Sequence, residues 1–269
     1  MTVVQSSGSA RIATAFERAR GIAALMPYVM GGFPTVEASL EIARACVGAG
    51  ADVIELGVPY SDPLADGPVI QAAGTSALAA GADLAGVLEV ARSASASVPV
   101  VLMCYANMVF APGVEAFVEQ LAASGACGLI VPDLPQGEEP DVLAACDASG
   151  VALVPLVAPT TTPERLAAIG SRARGFIYVV SVTGTTGERR ELAAGAADTI
   201  ARAKAAAAVP VALGFGISTA EQARRGAEAG ADGVIVGTRL VRAAAESREP
   251  AAAVGALVTE LAAGLAPAR

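Results

Sequence analysis

The feature that most constrains this chain is a repeat of plain apolar runs and amphipathic helical stretches. Candidate strands fall at residues 25–31, 52–57, 98–105, 128–132, 151–157, 175–181, 209–214 and 233–236. Helical patterns lie between them at 35–47, 68–80, 114–124, 138–149, 163–169, 191–206 and 219–229, and two more follow at 239–246 and 250–265. The strands do not alternate apolar with polar. They read as continuous apolar runs, the mark of strands covered on both faces in a parallel sheet. Eight such units in 269 residues match a closed (β/α)8 barrel in one domain, with an extra N-terminal helix expected at 10–23. An open, doubly wound sheet is the second choice. Helix signals support the spacing. Thr35 and Thr162 stand at helix starts, Pro163 occupies a first turn, and Gly48, Gly125, Gly150, Gly170 and Gly230 stand where helices are expected to stop.

Composition narrows the function. Hydrophobic residues are 54% of the chain and charged residues 16%. The longest near-apolar stretch, residues 205–217, is 13 residues long and contains Pro210, Gly214 and Gly216. A bilayer span needs about 20 apolar residues, so no membrane segment is expected. No secretory signal pattern stands at the N-terminus, and a cytoplasmic location is expected. A net charge of −8 without a Lys/Arg cluster disfavours nucleic acid but not a small phosphate held by backbone N–H groups. The cysteines Cys46, Cys104, Cys127 and Cys146 form no CxxC pair and read as buried free thiols.

Two scarcities matter more. The chain has no histidine, which removes His-based nucleophilic and general-base systems and most zinc hydrolase patterns. Its one lysine, Lys204, ends a helical stretch just before a strand, the wrong end of a barrel for a Schiff base. Acid–base chemistry falls to carboxylates and tyrosines.

The segment Glu55-Leu-Gly-Val-Pro-Tyr-Ser-Asp-Pro-Leu-Ala-Asp-Gly-Pro68 carries the strongest signal. Glu55 sits among apolar neighbours at a strand's C-terminal end, where lost hydration raises a carboxyl pKa toward neutrality. No arginine lies in any strand pattern to pair with it. The following loop holds Asp62 and Asp66 and is stiffened by Pro59, Pro63 and Pro68. Chemistry alone does not choose between these aspartates, and Asp66 also fits an N-cap for the next helix. Late glycine turns, Thr183-Gly-Thr-Thr-Gly187, Gly214-Phe-Gly-Ile-Ser218 and Val236-Gly-Thr-Arg239, follow three successive strands and suit a phosphate site.

These motifs resemble the tryptophan synthase α-chain family. Met103-Cys-Tyr-Ala-Asn107, Val131-Pro-Asp-Leu-Pro135 and Tyr178-Val-Val-Ser-Val-Thr-Gly-Thr-Thr-Gly187 resemble it too, in order. The resemblance implies a lyase that cleaves indole-3-glycerol phosphate to indole and glyceraldehyde 3-phosphate, a retro-aldol type of reaction, in tryptophan biosynthesis. It implies that Glu55 shuttles protons at indole C3 and the glycerol hydroxyl, and that Asp66, not Asp62, accepts from the indole N–H. It places Tyr28, Met103, Tyr178, Thr186 and Phe215 around the substrate, with Thr186 closing over the site. Gly187, Gly216, Gly237 and Thr238 would cradle the phosphate. It implies no metal and no cofactor in this chain, and a pyridoxal-phosphate-dependent β chain as partner in an αββα assembly, with the 59–68 loop facing it. Thr238 stands where serine is common in the family, and Glu188 puts an acid beside the proposed phosphate loop. Another sugar-phosphate barrel enzyme, or a silent subunit that only activates a β chain, would be the competing readings.

Overall fold

The computed structural model describes residues 7–19, 21–135, 137, 140–180, 195–214 and 216–267. An N-terminal helix, α1 (Gly8–Glu17), precedes β1 (Ala24–Met30) and α2 (Val36–Gly48). Then come β2 (Ile54–Gly57), α3 (Pro68–Ala79), α4 (Leu84–Ser95), β3 (Val100–Met103), α5 (Ala106–Phe110), α6 (Val114–Ala123), β4 (Gly128–Ile130) and α7 (Pro140–Ser149). The second half runs β5 (Ala152–Leu153), β6 (Leu156–Val157), α8 (Pro163–Arg172), β7 (Ile177–Val180), α9 (Ala196–Ala206), β8 (Val211–Gly214), α10 (Ala220–Glu228), β9 (Gly233–Val236), α11 (Thr238–Glu246) and α12 (Pro250–Gly264).

Every pairing is parallel, in the order β5-β4-β3-β2-β1-β9-β8-β7-β6. The two ends of that order are halves of one strand, separated only by Val154 and Pro155. Val154 N donates to Leu129 O at 2.9 Å, and Tyr178 N donates to Pro155 O at 2.9 Å. The sheet therefore closes on itself, and the open-sheet alternative is excluded. The run expected at 151–157 is one barrel strand in two pieces. Pro155 has no N–H to donate, so the ladder passes from β4 on one side to β7 on the other at that residue.

Alternate positions face inward. Met26, Val53, Val101, Ala152, Val154, Phe176, Ala212 and Ile235 fill the barrel interior, while Leu25, Ile54, Leu56, Leu102 and Val234 pack under the helices. Both strand faces are thus apolar, which is why the sequence shows no alternation. The interior is plugged from below by α1. Ile12 is fully buried in the interior cluster, and Phe16 meets Phe176 with ring centroids 5.8 Å apart. Arg11 donates to Gly125 O at 3.0 Å and Ser95 O at 2.6 Å, tying the plug to the rim. The helix ends at Glu17, well short of the expected residue 23, once its inward face is spent.

Other expectations need correction. Two helices, α4 and α5, lie where no separate helix was expected. Gly125, Gly150 and Gly230 do end helices with positive φ (82°, 70° and 100°), but Gly48 lies at the last position of α2, and Gly50 makes the left-handed turn (φ 104°). Gly170 lies inside α8, where an added Cβ would sit 2.0 Å from Ala206 O. It is a point of close approach between α8 and the end of α9. Lys204 pairs with Asp232 at 2.6 Å, on the rim where β9 begins, as its place in the sequence suggested. All four cysteines are buried and free. Among the described residues no helix is long and apolar enough to cross a membrane.

Candidate active site

Glu55 lies within β2, in register with Tyr28 of β1 and Val101 of β3. It faces inward, above Val53, and is 1% exposed. Its Oε2 is buried with no hydrogen-bond partner. A buried, unpaired carboxylate has lost its water without compensation, so the neutral acid is favoured. Burial first, and the charge of Asp66 second, push the Glu55 carboxyl up to about 8.

Asp66 comes from the loop that leaves the C-terminal end of β2. Burial pushes it up to about 6, and a hydrogen bond from the Tyr105 hydroxyl partly offsets this. Two nearby acids with separated pKa values are the arrangement that assigns one to hold a proton and the other to accept one. Asp62 does not share this setting. It is exposed, and its Oδ2 accepts from Ser61 Oγ at 2.5 Å. The helix-cap alternative for Asp66 also fails: the N-cap of α3 is Gly67, which has no side chain to cap with, and Pro68 stands at the first turn. Asp66 is held instead through its backbone. Its N donates to Pro63 O at 3.1 Å, and Gln71 Nε2 donates to its carbonyl at 2.8 Å.

Two tyrosines complete this layer. Tyr28 and Tyr178 are 7% and 4% exposed, and both phenols are held well above their ordinary pKa. Burial is the main cause for each, followed by the charges of Asp66 and Glu55 at Tyr28 and of Glu55 and Tyr28 at Tyr178. They remain protonated donors. Each ring lies over a strand-end glycine. A Cβ on Gly57 would fall 1.9 Å from Tyr28 Oη, and one on Gly214 would fall 2.3 Å from Tyr178 Oη. Only glycine leaves room for a ring to cross the neighbouring strand here. Met103 closes β3 beside Gly57, half-buried.

Of the proposed phosphate residues, Gly216 has a positive φ of 86°, Gly237 is the N-cap of α11, and Thr238 is its first residue. Backbone N–H groups at such a helix start are free to hold an anion. Thr186, Gly187, Phe215 and the acid Glu188 lie outside the described residues. Tyr105, just past β3, was not singled out in the sequence although it meets Asp66. Its signal was available: a polar aromatic at the C-terminal end of a barrel strand.

Fold and site define the class, a closed (β/α)8 barrel enzyme with two carboxyl groups of raised pKa at the rim where such barrels do chemistry. A family model described as tryptophan synthase alpha chain matches residues 15–266. The chain is 48% identical over 242 residues to the tryptophan synthase alpha chain of Methanosarcina mazei, covering 90% of this chain and 89% of that one. It is 46% identical over 264 residues to that of a Synechococcus species, covering 96% and 98%. Its fold superposes on a solved structure of Mycobacterium tuberculosis tryptophan synthase with a TM-score of 0.89 and 40% identity, covering 98% of this chain and all (100%) of that one. A Pyrococcus furiosus tryptophan synthase α2β2 complex gives a TM-score of 0.84 at 37% identity, covering 90% and 98%. The chain belongs to the tryptophan synthase alpha chain family.

Proposed function

We propose that this chain cleaves indole-3-glycerol phosphate to indole and glyceraldehyde 3-phosphate, with Glu55 and Asp66 as its acid–base pair. The observation that carries the reading is a buried Glu55 carboxyl with an unpartnered oxygen beside Asp66 at the barrel's C-terminal rim, a setting that raises Glu55 to about 8 and Asp66 to about 6. Near pH 7 Glu55 is mostly protonated and Asp66 mostly ionised. Protonated Glu55 gives its proton to indole C3, which turns the ring into a leaving group. Asp66 accepts the indole N–H and stabilises the positive charge that develops on the ring. The bond between C3 and the glycerol carbon then breaks as Glu55, now a carboxylate, takes the proton of the adjacent hydroxyl. The aldehyde leaves, and Glu55 ends as it began. No metal or cofactor of this chain is needed. In this reading Tyr28, Met103 and Phe215 line the indole, Tyr178 contacts the substrate, Thr186 closes over the site and meets the aspartate, and Gly187, Gly216, Gly237 and Thr238 hold the phosphate.

The partner in this reading is a pyridoxal-phosphate-dependent β chain in an αββα assembly. An α2β2 relative among the solved structures supports it, as do Leu64, 81% exposed in the loop after β2, and Phe110, 48% exposed at the end of α5. Large apolar side chains left in water suit a docking face.

The direct test is indole release from indole-3-glycerol phosphate, by the chain alone and with a β chain added. No release in either condition ends the reading. The two carboxyls also set the pH dependence. The active form needs Asp66 ionised and Glu55 protonated, so kcat/KM is expected to be bell-shaped, with limbs near 6 and 8. A profile still rising through pH 9 would contradict Glu55 as the acid. Asp66→Asn is expected to lower kcat by about 10²-fold or more without destabilising the fold, because no helix cap is lost, and to gain stability above about pH 6, where the wild type carries a partly buried charge. A large fall in melting temperature with activity kept would return Asp66 to a structural role.

A further inference from the structure

We infer that Tyr105 is a positioning residue for Asp66, holding the loop between β2 and α3 so that its carboxylate stands ready for the substrate N–H. The inference deepens the proposed lyase reading and rests on it. The hydroxyl of Tyr105 accepts the backbone N–H of Ala65 at 3.1 Å, and it stands close enough to the Asp66 carboxylate to lower its pKa. The residue just before Asp66 is therefore pinned to the phenol oxygen. The ring itself is fixed from two sides. Tyr60, at the start of the same loop, stacks on it with centroids 5.1 Å apart and planes 23° apart. Below it, Tyr105 is the N-cap residue of α5 and offers no side-chain cap; Asp133, from the loop after β4, takes over by accepting Ala106 N at 2.8 Å.

The result is a chain of contacts from the fourth strand's loop, through the start of α5, to the aspartate. A loop with two prolines, Pro59 and Pro63, and a third, Pro68, opening the next helix is stiff within itself but needs an external point to fix its place over the barrel mouth. Tyr105 supplies that point. It also places a phenol beside the Asp66 carboxylate, which favours the ionised form that an incoming N–H donor requires. The groups facing Asp66 are Tyr105, Glu55, Tyr28 and Tyr178. Of these, Tyr105 lowers the Asp66 pKa, while the charge of Asp66 raises that of Glu55.

Tyr105→Phe tests this, since it keeps the stack on Tyr60 and removes only the hydroxyl. Titration of ¹³C-labelled aspartate carboxyls by NMR, in wild type and variant, reads the effect without any assay. The Asp66 midpoint is expected to rise in the variant, and the acidic limb of kcat/KM to rise with it. At the pH optimum kcat should fall about tenfold or more, with the alkaline limb held near its wild-type place. An unchanged Asp66 midpoint would overturn the inference, even if the variant were less active or less stable. If the midpoint moves while wild-type protein releases no indole, the positioning contact stands and the lyase reading falls. If wild type is active and both limbs stay put in the variant, the lyase reading stands and this inference falls. Tyr105→Leu, which also loses the stack, is expected to cost more in kcat than Tyr105→Phe; equal losses would assign the whole effect to the hydroxyl and still support it.

Discussion

Glu55→Gln is expected to lower kcat by about 10²- to 10⁴-fold, the usual span of a general acid–base contribution, and to make the protein more stable at neutral and alkaline pH. The two effects share one cause. Glu55 is buried with an orphan oxygen, so its charged form is costly in the folded state. Its carboxyl is raised from its ordinary 4.5 to about 8 on folding, mainly by burial. Folded protein therefore holds this proton more tightly than unfolded protein does. Below about pH 4.5 both states are protonated, and Glu55 imposes no charge cost. Between about 4.5 and 8 the unfolded state has released its proton while the folded state keeps it, and stability falls steadily with pH. Above about 8 the folded state carries the buried charge and the cost is complete. A glutamine has the same shape and never ionises, so it escapes that cost. The gain in melting temperature should thus be small near pH 4.5, grow through neutrality and level off above about 8. Thermal melts of both proteins across pH 4 to 9, beside indole release, check it. A glutamine variant less stable at pH 8 than wild type would show that Glu55 is satisfied in the fold. Retention of a tenth of the activity would remove it from the chemistry.

What the sequence made legible follows from which signals are local. The eight barrel strands stood out because each is covered on both faces, so its apolar run has no gaps. Glu55 stood out for the same reason, as one charge inside such a run. The break in the fifth strand was also local, since Pro155 has no N–H, but it lay hidden in a run that otherwise reads as uniform. Helix α4 was missed although Asp83 caps it by accepting Gly86 N at 2.8 Å and Val87, Leu88, Ala91 and Ala94 form its buried face. One helix per strand is the expectation of the barrel repeat, and α3 had already filled that place. Tyr105 was missed because its role depends on partners 40 residues away at Ala65, and 27 residues separate Ala106 from Asp133. No spacing within a motif encodes such distances. The resemblance chose Asp66 over Asp62, and packing treats the two differently in a way no local spacing shows: Asp66 is half-buried and Asp62 is exposed.

The same dependence on packing makes Gly57 a test of how the site is built. Gly57→Ala is the smallest substitution available, yet its Cβ would lie 1.9 Å from Tyr28 Oη and 2.5 Å from Tyr28 Cζ. Real carbon atoms do not approach so closely, so the tyrosine ring must move. It has little room: Tyr28 is buried, and a Cβ added at Gly237, on its other side, would lie only 3.3 Å from Tyr28 Cβ. Displacing the ring disturbs the residue in register with Glu55 and crowds the start of α11, where the phosphate is proposed to bind. A misplacement of about 1 Å at a reacting site costs on the order of 10²-fold, and that is the expected loss in kcat/KM. The added strain should destabilise by about 1–3 kcal/mol, the usual cost of overpacking. The cause can be isolated by a double mutant. Tyr28→Leu removes the atoms that clash, so Gly57→Ala should cost far less stability in that background, with a coupling of about 0.5–3 kcal/mol in the relieving direction. Activity should stay low in the double variant, since the phenol is gone. If Gly57→Ala costs the same in both backgrounds, or leaves kcat/KM within a factor of two of wild type, Gly57 is not the space that Tyr28 needs.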